Sequence, residues 1–226
     1  CAILQDDVLL SEYTTNYKKT HSETLIPMID EILRMTDTDK ASIDAIAVSE
    51  GPGSFTGLRI GSATAKGLGL ALEKPLIAVP TVDGLAMNLW SSRRDICPLM
   101  DARRNQTYTG LYRFDDRDRL QVIVPQCAVD LSEILEKINE NQNPVTFLGD
   151  GVPVFRETIE REVFVPFAFA PAGCNRQRAS AVARLGAQDF AEGRTVSAAD
   201  FRPDYLRVSQ AERERMEREE QNGSPD

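Results

Sequence analysis

Ser49-Glu50-Gly51-Pro52-Gly53-Ser54-Phe55-Thr56-Gly57-Leu58-Arg59-Ile60-Gly61, continuing to Leu72, is the stretch on which the fold turns. It reads as the end of a strand, a glycine turn at Gly51 to Ser54, and a helix from Phe55 to Leu72. Free backbone N–H groups at such a helix start can hold an anion, so Gly51, Gly53, Ser54 and Thr56 form a candidate anion turn. The segment lacks the GK[ST] ending of a P-loop and does not match GxGxxG. The helix itself carries Gly57, Gly61, Gly67 and Gly69 among Ser62, Ala63, Ala65 and Ala71. Each interior glycine costs about 1 kcal/mol against alanine. A soluble helix tolerates that where another backbone approaches closely, either on the chain's own sheet or across an interface. Arg59 and Lys66 stand seven apart, hence on one face. That face is either the solvated side or one that meets a partner's carboxylates.

Outward from this segment, Ile43 to Ser49 reads as a buried strand and Leu76 to Val79 as a short one, followed by a helix from Val82 to Trp90. Before it, Cys1 to Leu4 and Val8 to Thr14 form a hairpin around Gln5-Asp6-Asp7. Thr20 and Glu23 have the spacing of a capping box. The helix they open places Leu25, Met28, Ile29 and Ile32 on one stripe, widened by Ile26 and Leu33. After a break near Arg93 to Asp95 come strands at Ile96–Met100, Thr107–Phe114 and Leu120–Val129. A helix at Leu131–Asn139, a strand at Val145–Leu148 and helices at Val152–Arg161 and Arg178–Glu192 follow, the last stopped at Gly193. Ala211 to Glu220 reads as a charged, solvated helix and Asn222 to Asp226 as disorder. Strands alternating with helices, with hairpins mixed in, predict an α/β fold with mixed sheets. The expected units are an N-terminal lobe over 1–93, a C-terminal lobe over 94–208 and a charged tail over 209–226.

The 226 residues carry 26 Lys+Arg and 35 Asp+Glu, 26 − 35 = −9. A chain so acidic lacks the basic signature of a free-standing nucleic-acid binder, so contact with RNA is expected through a partner. Cys1, Cys97, Cys127 and Cys174 form no CxxC pair, which speaks against a zinc site or a disulfide framework and fits reduced thiols in a cytoplasm. The lone histidine, His21, excludes most metal-site and Ser/His/Asp schemes. No apolar run reaches the roughly 18 residues a membrane helix needs, and no secretory signal is visible. The chain begins inside an apolar run without an initiator Met, which reads as a processed protein or a fragment.

Ser49 to Leu72 closely resembles the signature segment of the TsaB (YeaZ) family. His21-Ser22 before Leu25-Ile26-Pro27, Ala78-Val79-Pro80-Thr81, Asp83-Gly84-Leu85-Ala86, Asp101-Ala102-Arg103 with Thr107-Tyr108, Gly149-Asp150-Gly151 and Pro203-Asp204-Tyr205-Leu206-Arg207 follow in the family's order. The resemblance implies an actin-like (ribonuclease H-like) fold of two lobes. It also implies a strand with an Asp-Thr-Ser turn ahead of Cys1, pairing with the strand that starts there; that strand is missing from this sequence. The sister subunit, TsaD, holds metal through a HxxxH helix. Here Leu25 stands four residues after His21, so one imidazole remains and no metal site is expected. At the second-lobe phosphate turn Asp101-Ala102-Arg103-Arg104 replace glycines, so a backbone cannot approach a phosphate closely.

The resemblance therefore implies a non-catalytic, activating subunit without a cofactor. Its partners would be a TsaD-like catalytic subunit and a TsaE-like ATPase, with a homodimer in the absence of TsaD and tRNA met only through the complex. The reaction served is N6-threonylcarbamoylation of adenosine 37 in tRNA. The competing readings are an actin-fold ATPase, a glycoprotease-like (peptidase M22-like) hydrolase, and a free-standing binder of a small anion. The expected partner interface is Leu25, Met28, Ile29 and Ile32 on the first long helix, with Arg59, Ser62, Ala65 and Lys66 on the second.

Overall fold

The structure is a computed structural model that describes residues 1–17 and 20–206. The expected charged helix at 211–220 and the disordered end at 222–226 lie outside the described residues. The first half opens with the hairpin β1 (Ala2–Gln5) and β2 (Val8–Glu12), paired antiparallel. Helix α1 (His21–Met35) leads to β3 (Ile46–Gly51), α2 (Phe55–Leu72) and β4 (Leu76–Pro80), with β3 and β4 parallel. These four strands form two separate two-stranded sheets. The short helix α3 (Thr81–Ala86) then runs into a 3-10 turn at Met87–Leu89.

The second half is one mixed sheet in the order β7-β6-β5-β8-β9. It comprises β5 (Asp95–Asp101), β6 (Gln106–Phe114), β7 (Leu120–Asp130), β8 (Val145–Leu148) and β9 (Phe167–Phe169). The β5–β6 and β6–β7 pairs are antiparallel, whereas β5–β8 and β8–β9 are parallel. Helices α4 (Leu131–Asn141) and α5 (Val152–Glu162) cover one face, burying Leu131, Ile134, Leu135, Ile138, Phe155 and Ile159 against Leu99, Leu111 and Phe147. This is the mixed α/β arrangement the alternating pattern implies.

The opposite face of the large sheet packs against the end of the first half. Val82, Leu85 and Met87 pack there in one cluster with Ile96, Met100, Tyr112, Phe114 and Leu148, and with Ala181 of α6 (Ala179–Ala191). Helix α6 also lies on β3: a Cβ built on Gly186 would sit 2.5 Å from the Ala47 Cβ. Beyond α6, Val196 bridges to Leu76, and Ala198 and Phe201 are buried with Ala65 and Leu76. The chain after Arg178 thus returns to the first half. Hydrophobic burial is indifferent to chain order, so a core can be completed by residues far away in sequence.

Local chemistry explains the helix ends. Thr20 is the N-cap of α1, as the spacing predicts, but its hydroxyl caps nothing; its carbonyl accepts from the Glu23 N–H at 3.2 Å and from the Thr24 hydroxyl at 3.1 Å. The reciprocal carboxylate contact of a capping box appears instead at α4, where the Asp130 N–H donates to Glu133 Oε1 at 3.1 Å. Helix α6 has no capping side chain of its own. Glu12 of β2 supplies one from across the chain: Oε1 accepts from the Ser180 N–H and hydroxyl, both at 2.9 Å, and Oε2 accepts from Arg178 Nη2 at 2.6 Å.

Candidate partner surface

Helix α2 starts where the sequence places it, because Ser54 caps it: its Oγ accepts from the Gly57 N–H at 3.1 Å. Along the helix, Leu58, Ser62, Ala65 and Gly69 face inward and are buried. Thr56, Arg59, Ala63, Gly67 and Leu70 form the opposite, exposed stripe. The expected outward direction of Ser62 and Ala65 is therefore corrected. They are 5% exposed each and belong to the chain's own packing. Periodicity groups residues on a face but does not say which face meets the sheet.

Lys66 is also corrected as an interface residue. Its ammonium donates to the carbonyls of Ala199 and Phe201, at 3.0 and 3.1 Å, and so ties the returning chain to α2. Arg59 remains exposed and lies over the Phe55 ring, 4.0 Å from its centroid. On α1, Ile32 and Leu33 are buried in the chain's own core, Leu25, Met28 and Ile29 are half-buried, and Ile26 is 53% exposed. The widened stripe thus divides: Ile32 and Leu33 serve the fold, while Ile26 faces away from it.

The glycines of α2 divide in the same way. A Cβ on Gly69 would lie 2.9 Å from Ala198 and Leu76 side chains, and one on Gly57 would lie 2.7 Å from Ser54 Oγ. Those two are explained by the chain's own packing. A Cβ on Gly61 or Gly67 would meet nothing within 4 Å. Each nevertheless costs about 1 kcal/mol of helix stability against alanine, and no such contact among the described residues accounts for them.

The candidate anion turn is closed. Gly51, at φ +134°, lies so near Asp204 that a Cβ would sit 2.1 Å from the Asp204 carbonyl oxygen. The Asp204 N–H donates to the Glu50 carbonyl at 2.7 Å, and the Gly57 N–H is spent on Ser54. Carboxylates surround the turn. Burial, and then the charges of Asp204, Asp83 and Asp189, push the Glu50 carboxyl above its usual range. Burial likewise raises Asp83, although the Tyr112 hydroxyl donates to it at 2.7 Å and works the other way. A field that disfavours a carboxylate disfavours a bound anion for the same reason.

At the second candidate cleft, the β5–β6 turn is tied by a local contact while Arg103, Arg104 and Asn105 stay exposed. Asp101 Oδ1 accepts from the Arg103 N–H at 2.8 Å, and Oδ2 lies 3.3 Å from the Arg103 guanidinium. Arg103, Arg104 and Asn105 all have positive φ, at 64°, 54° and 62°. Gly149, at φ +113°, is required by packing: a Cβ there would lie 2.1 Å from the Leu99 carbonyl oxygen. Arg176 stands 3.7 Å from Asp150. His21 is exposed at the first position of α1, its ring 3.5 Å from where a Gly57 Cβ would be. Among the described residues, no group of three or more His, Cys, Asp or Glu side chains could hold a metal ion.

Comparison with known proteins places this geometry. The family model described as TsaD: tRNA N6-adenosine threonylcarbamoyltransferase matches residues 8–215. The tRNA threonylcarbamoyladenosine biosynthesis protein TsaB of Bacillus subtilis is 36% identical over 214 residues, covering 93% of this chain and 90% of the relative. The chain belongs to the TsaB family. The TsaB of Escherichia coli is 28% identical over 201 residues, covering 84% of this chain and 81% of its own length. In fold, this TsaB-family chain is similar to a Pseudomonas aeruginosa protein with similarity to the peptidase YeaZ. The TM-score is 0.75 at 23% identity, with 91% of this chain and 93% of that one covered. The α/β, actin-like class expected from the signature segment is therefore the fold of the molecule. No helix among the described residues is long and apolar enough to cross a membrane.

Proposed function

We propose that this chain is a non-catalytic, activating subunit in tRNA threonylcarbamoyladenosine formation, and that it pairs with a TsaD-like catalytic subunit through the exposed faces of α1 and α2. The observation that carries the reading is Gly67, on the exposed stripe of α2. It weakens the helix, a Cβ there would meet nothing within 4 Å, and small residues on a helix are what close approach of a second helix requires. Ile26 on α1 and Leu70 on α2, 53% and 60% exposed, supply apolar area of the kind that marks an interaction surface. The surface so assigned comprises Ile26, Arg59, Ala63, Gly67 and Leu70, with Leu25, Met28 and Ile29 partly accessible beside it. The second-lobe turn, where Asp101-Ala102-Arg103-Arg104 stand in place of glycines, supports a role other than nucleotide turnover. A TsaE-like ATPase as a third component, a homodimer when the catalytic subunit is absent, tRNA contact only within the complex and a cytoplasmic setting belong to the same reading.

Gly67→Gln tests it. Glutamine is a better helix former than glycine, so the chain keeps its stability while the new side chain blocks close approach. Size-exclusion chromatography with light scattering, on this variant mixed with the threonylcarbamoyltransferase subunit of the same organism, is expected to show loss of the complex. A complex as stable as wild type would overturn the surface. Turnover of ATP by the isolated chain, abolished by Arg103→Ala, would overturn the non-catalytic role.

A further inference from the structure

Two cations point toward the α2 surface from the sequence, and the structure treats them differently. Lys66 is consumed by two backbone carbonyls of its own chain. Arg59 sits on the exposed stripe, and among the described residues its guanidinium rests on the Phe55 ring. Phe55 in turn rests on Tyr205, with centroids 5.1 Å apart and planes tilted by 38°. Tyr205 belongs to the returning segment that Lys66 and the buried Phe201 fasten to α2. Arg59, Phe55 and Tyr205 therefore form a stack built from α2 and the last described segment. Among the described residues no carboxylate lies within ion-pair distance of Arg59.

We propose that Arg59 is the charged anchor of the partner surface and takes a carboxylate from the helix that docks on α2. This inference rests on the surface assigned above. A guanidinium stacked on a ring keeps its N–H edge free, and that edge matches a carboxylate with two parallel hydrogen bonds. The stack also orders the side chain before binding, which lowers the entropic cost of docking. Arginine at the centre of an apolar interface is a common source of binding energy. The surroundings select the occupant. Ala63, Gly67 and Leu70 continue the face as small and apolar residues suited to a helix. Burying Arg59 under that helix without a negative partner would leave an uncompensated charge. A nucleic-acid phosphate would fit the same fork, but the net charge of −9 opposes it.

The test measures binding of the same-organism threonylcarbamoyltransferase subunit by calorimetry, at low and at physiological salt. The variants are Arg59→Lys, Arg59→Glu and Phe55→Leu, with Gly67→Gln marking the surface itself. Arg59→Lys keeps the charge but loses the fork, and is expected to weaken binding about tenfold. Arg59→Glu is expected to weaken it about a hundredfold or more. Phe55→Leu frees the guanidinium and is expected to fall between wild type and Arg59→Lys. Thermal melts verify that each variant is folded. If Arg59→Glu binds within about twofold of wild type while Gly67→Gln does not bind, the anchor falls and the surface stands. If neither variant changes binding, both fall. If Arg59→Glu weakens tRNA retention in a gel shift but not subunit binding, the fork serves a phosphate and the proposal is overturned.

Discussion

Glu12 offers a sharp test of how the two halves are joined. Its side chain is 8% exposed and receives hydrogen bonds from the Ser180 N–H and hydroxyl and from Arg178. It therefore caps the N-terminus of α6 from a strand 166 residues away. A lost cap costs about 1–2 kcal/mol. A hydrogen bond to a charged group contributes about 1.5–3 kcal/mol. The Arg178 pair is discounted to at most about 1 kcal/mol because the guanidinium is 45% exposed. Glu12→Ala is thus expected to cost about 2–4 kcal/mol, or a fall in Tm of about 4–16 °C at this chain length.

Acid dependence separates charge from shape. Burial opposes ionisation of Glu12, but the hydrogen bonds from Ser180 and Arg178 outweigh it and hold the carboxyl below its usual range. A carboxyl lowered by folding adds stability above its unfolded pKa, near 4.3, and loses it as pH falls through the folded value. Glu12→Gln keeps the shape and removes the charge. Its gap from wild type in urea melts is expected to be level from pH 6 to 8 and to close below about pH 4. A gap equally wide at pH 7 and pH 3, or Glu12→Ala melting with wild type, would refute the assignment.

Other variants report on other parts of the molecule. Asp95 is 3% exposed and pairs with Arg113 at 2.6 and 3.0 Å and with Asn141; Asp95→Ala is expected to cost about 1–3 kcal/mol in urea titration, from the lost Asn141 hydrogen bond and an Arg113 pair discounted because that guanidinium is 42% exposed. Ser62→Glu puts a charge into the core under α2 and is expected to cost about 3–5 kcal/mol, seen as loss of cooperative melting; a folded variant that only loses its partner would restore the outward reading of Ser62. Gly67→Ala is expected to raise the stability of the isolated chain by about 0.5–1 kcal/mol, because the added methyl meets open space; a lower Tm would show that the chain itself uses that glycine.

Much of this was legible in the residues, and the limits have physical causes. The bounds of α2, Phe55–Leu72, follow from local chemistry: a glycine turn, a serine cap and an end at Leu72 before Glu73 in the left-handed region. Strand β9 was not legible, because Phe167–Phe169 is three residues long and pairs, among the described residues, with β8 alone. Strand β3 begins at Ile46 rather than Ile43, because Lys40–Ser42 form a 3-10 turn capped by Asp39, a hydrogen bond no hydropathy pattern carries. The candidate surface shows the limit most clearly. Spacing found the two helices but placed Ser62, Ala65 and Lys66 outward. Ala65 is buried with Leu76, Ala198 and Phe201, and Lys66 is held by Ala199 and Phe201, the last of them 135 positions downstream. At the second-lobe turn the sequence showed side chains in place of glycines, whereas the direct contact between Asp101 and Arg103 needed the fold.

The return of the last described segment to the first strands carries a consequence for biosynthesis. Domains emerging from a ribosome ordinarily fold in the order they are made. Here β3 and β4 meet α2 as soon as they are made, but their second helix, α6, and the Phe201 that joins Ala65 and Leu76 in one cluster come only after the five-stranded sheet between them. The core of the first half is therefore closed by residues synthesised after the second-half sheet.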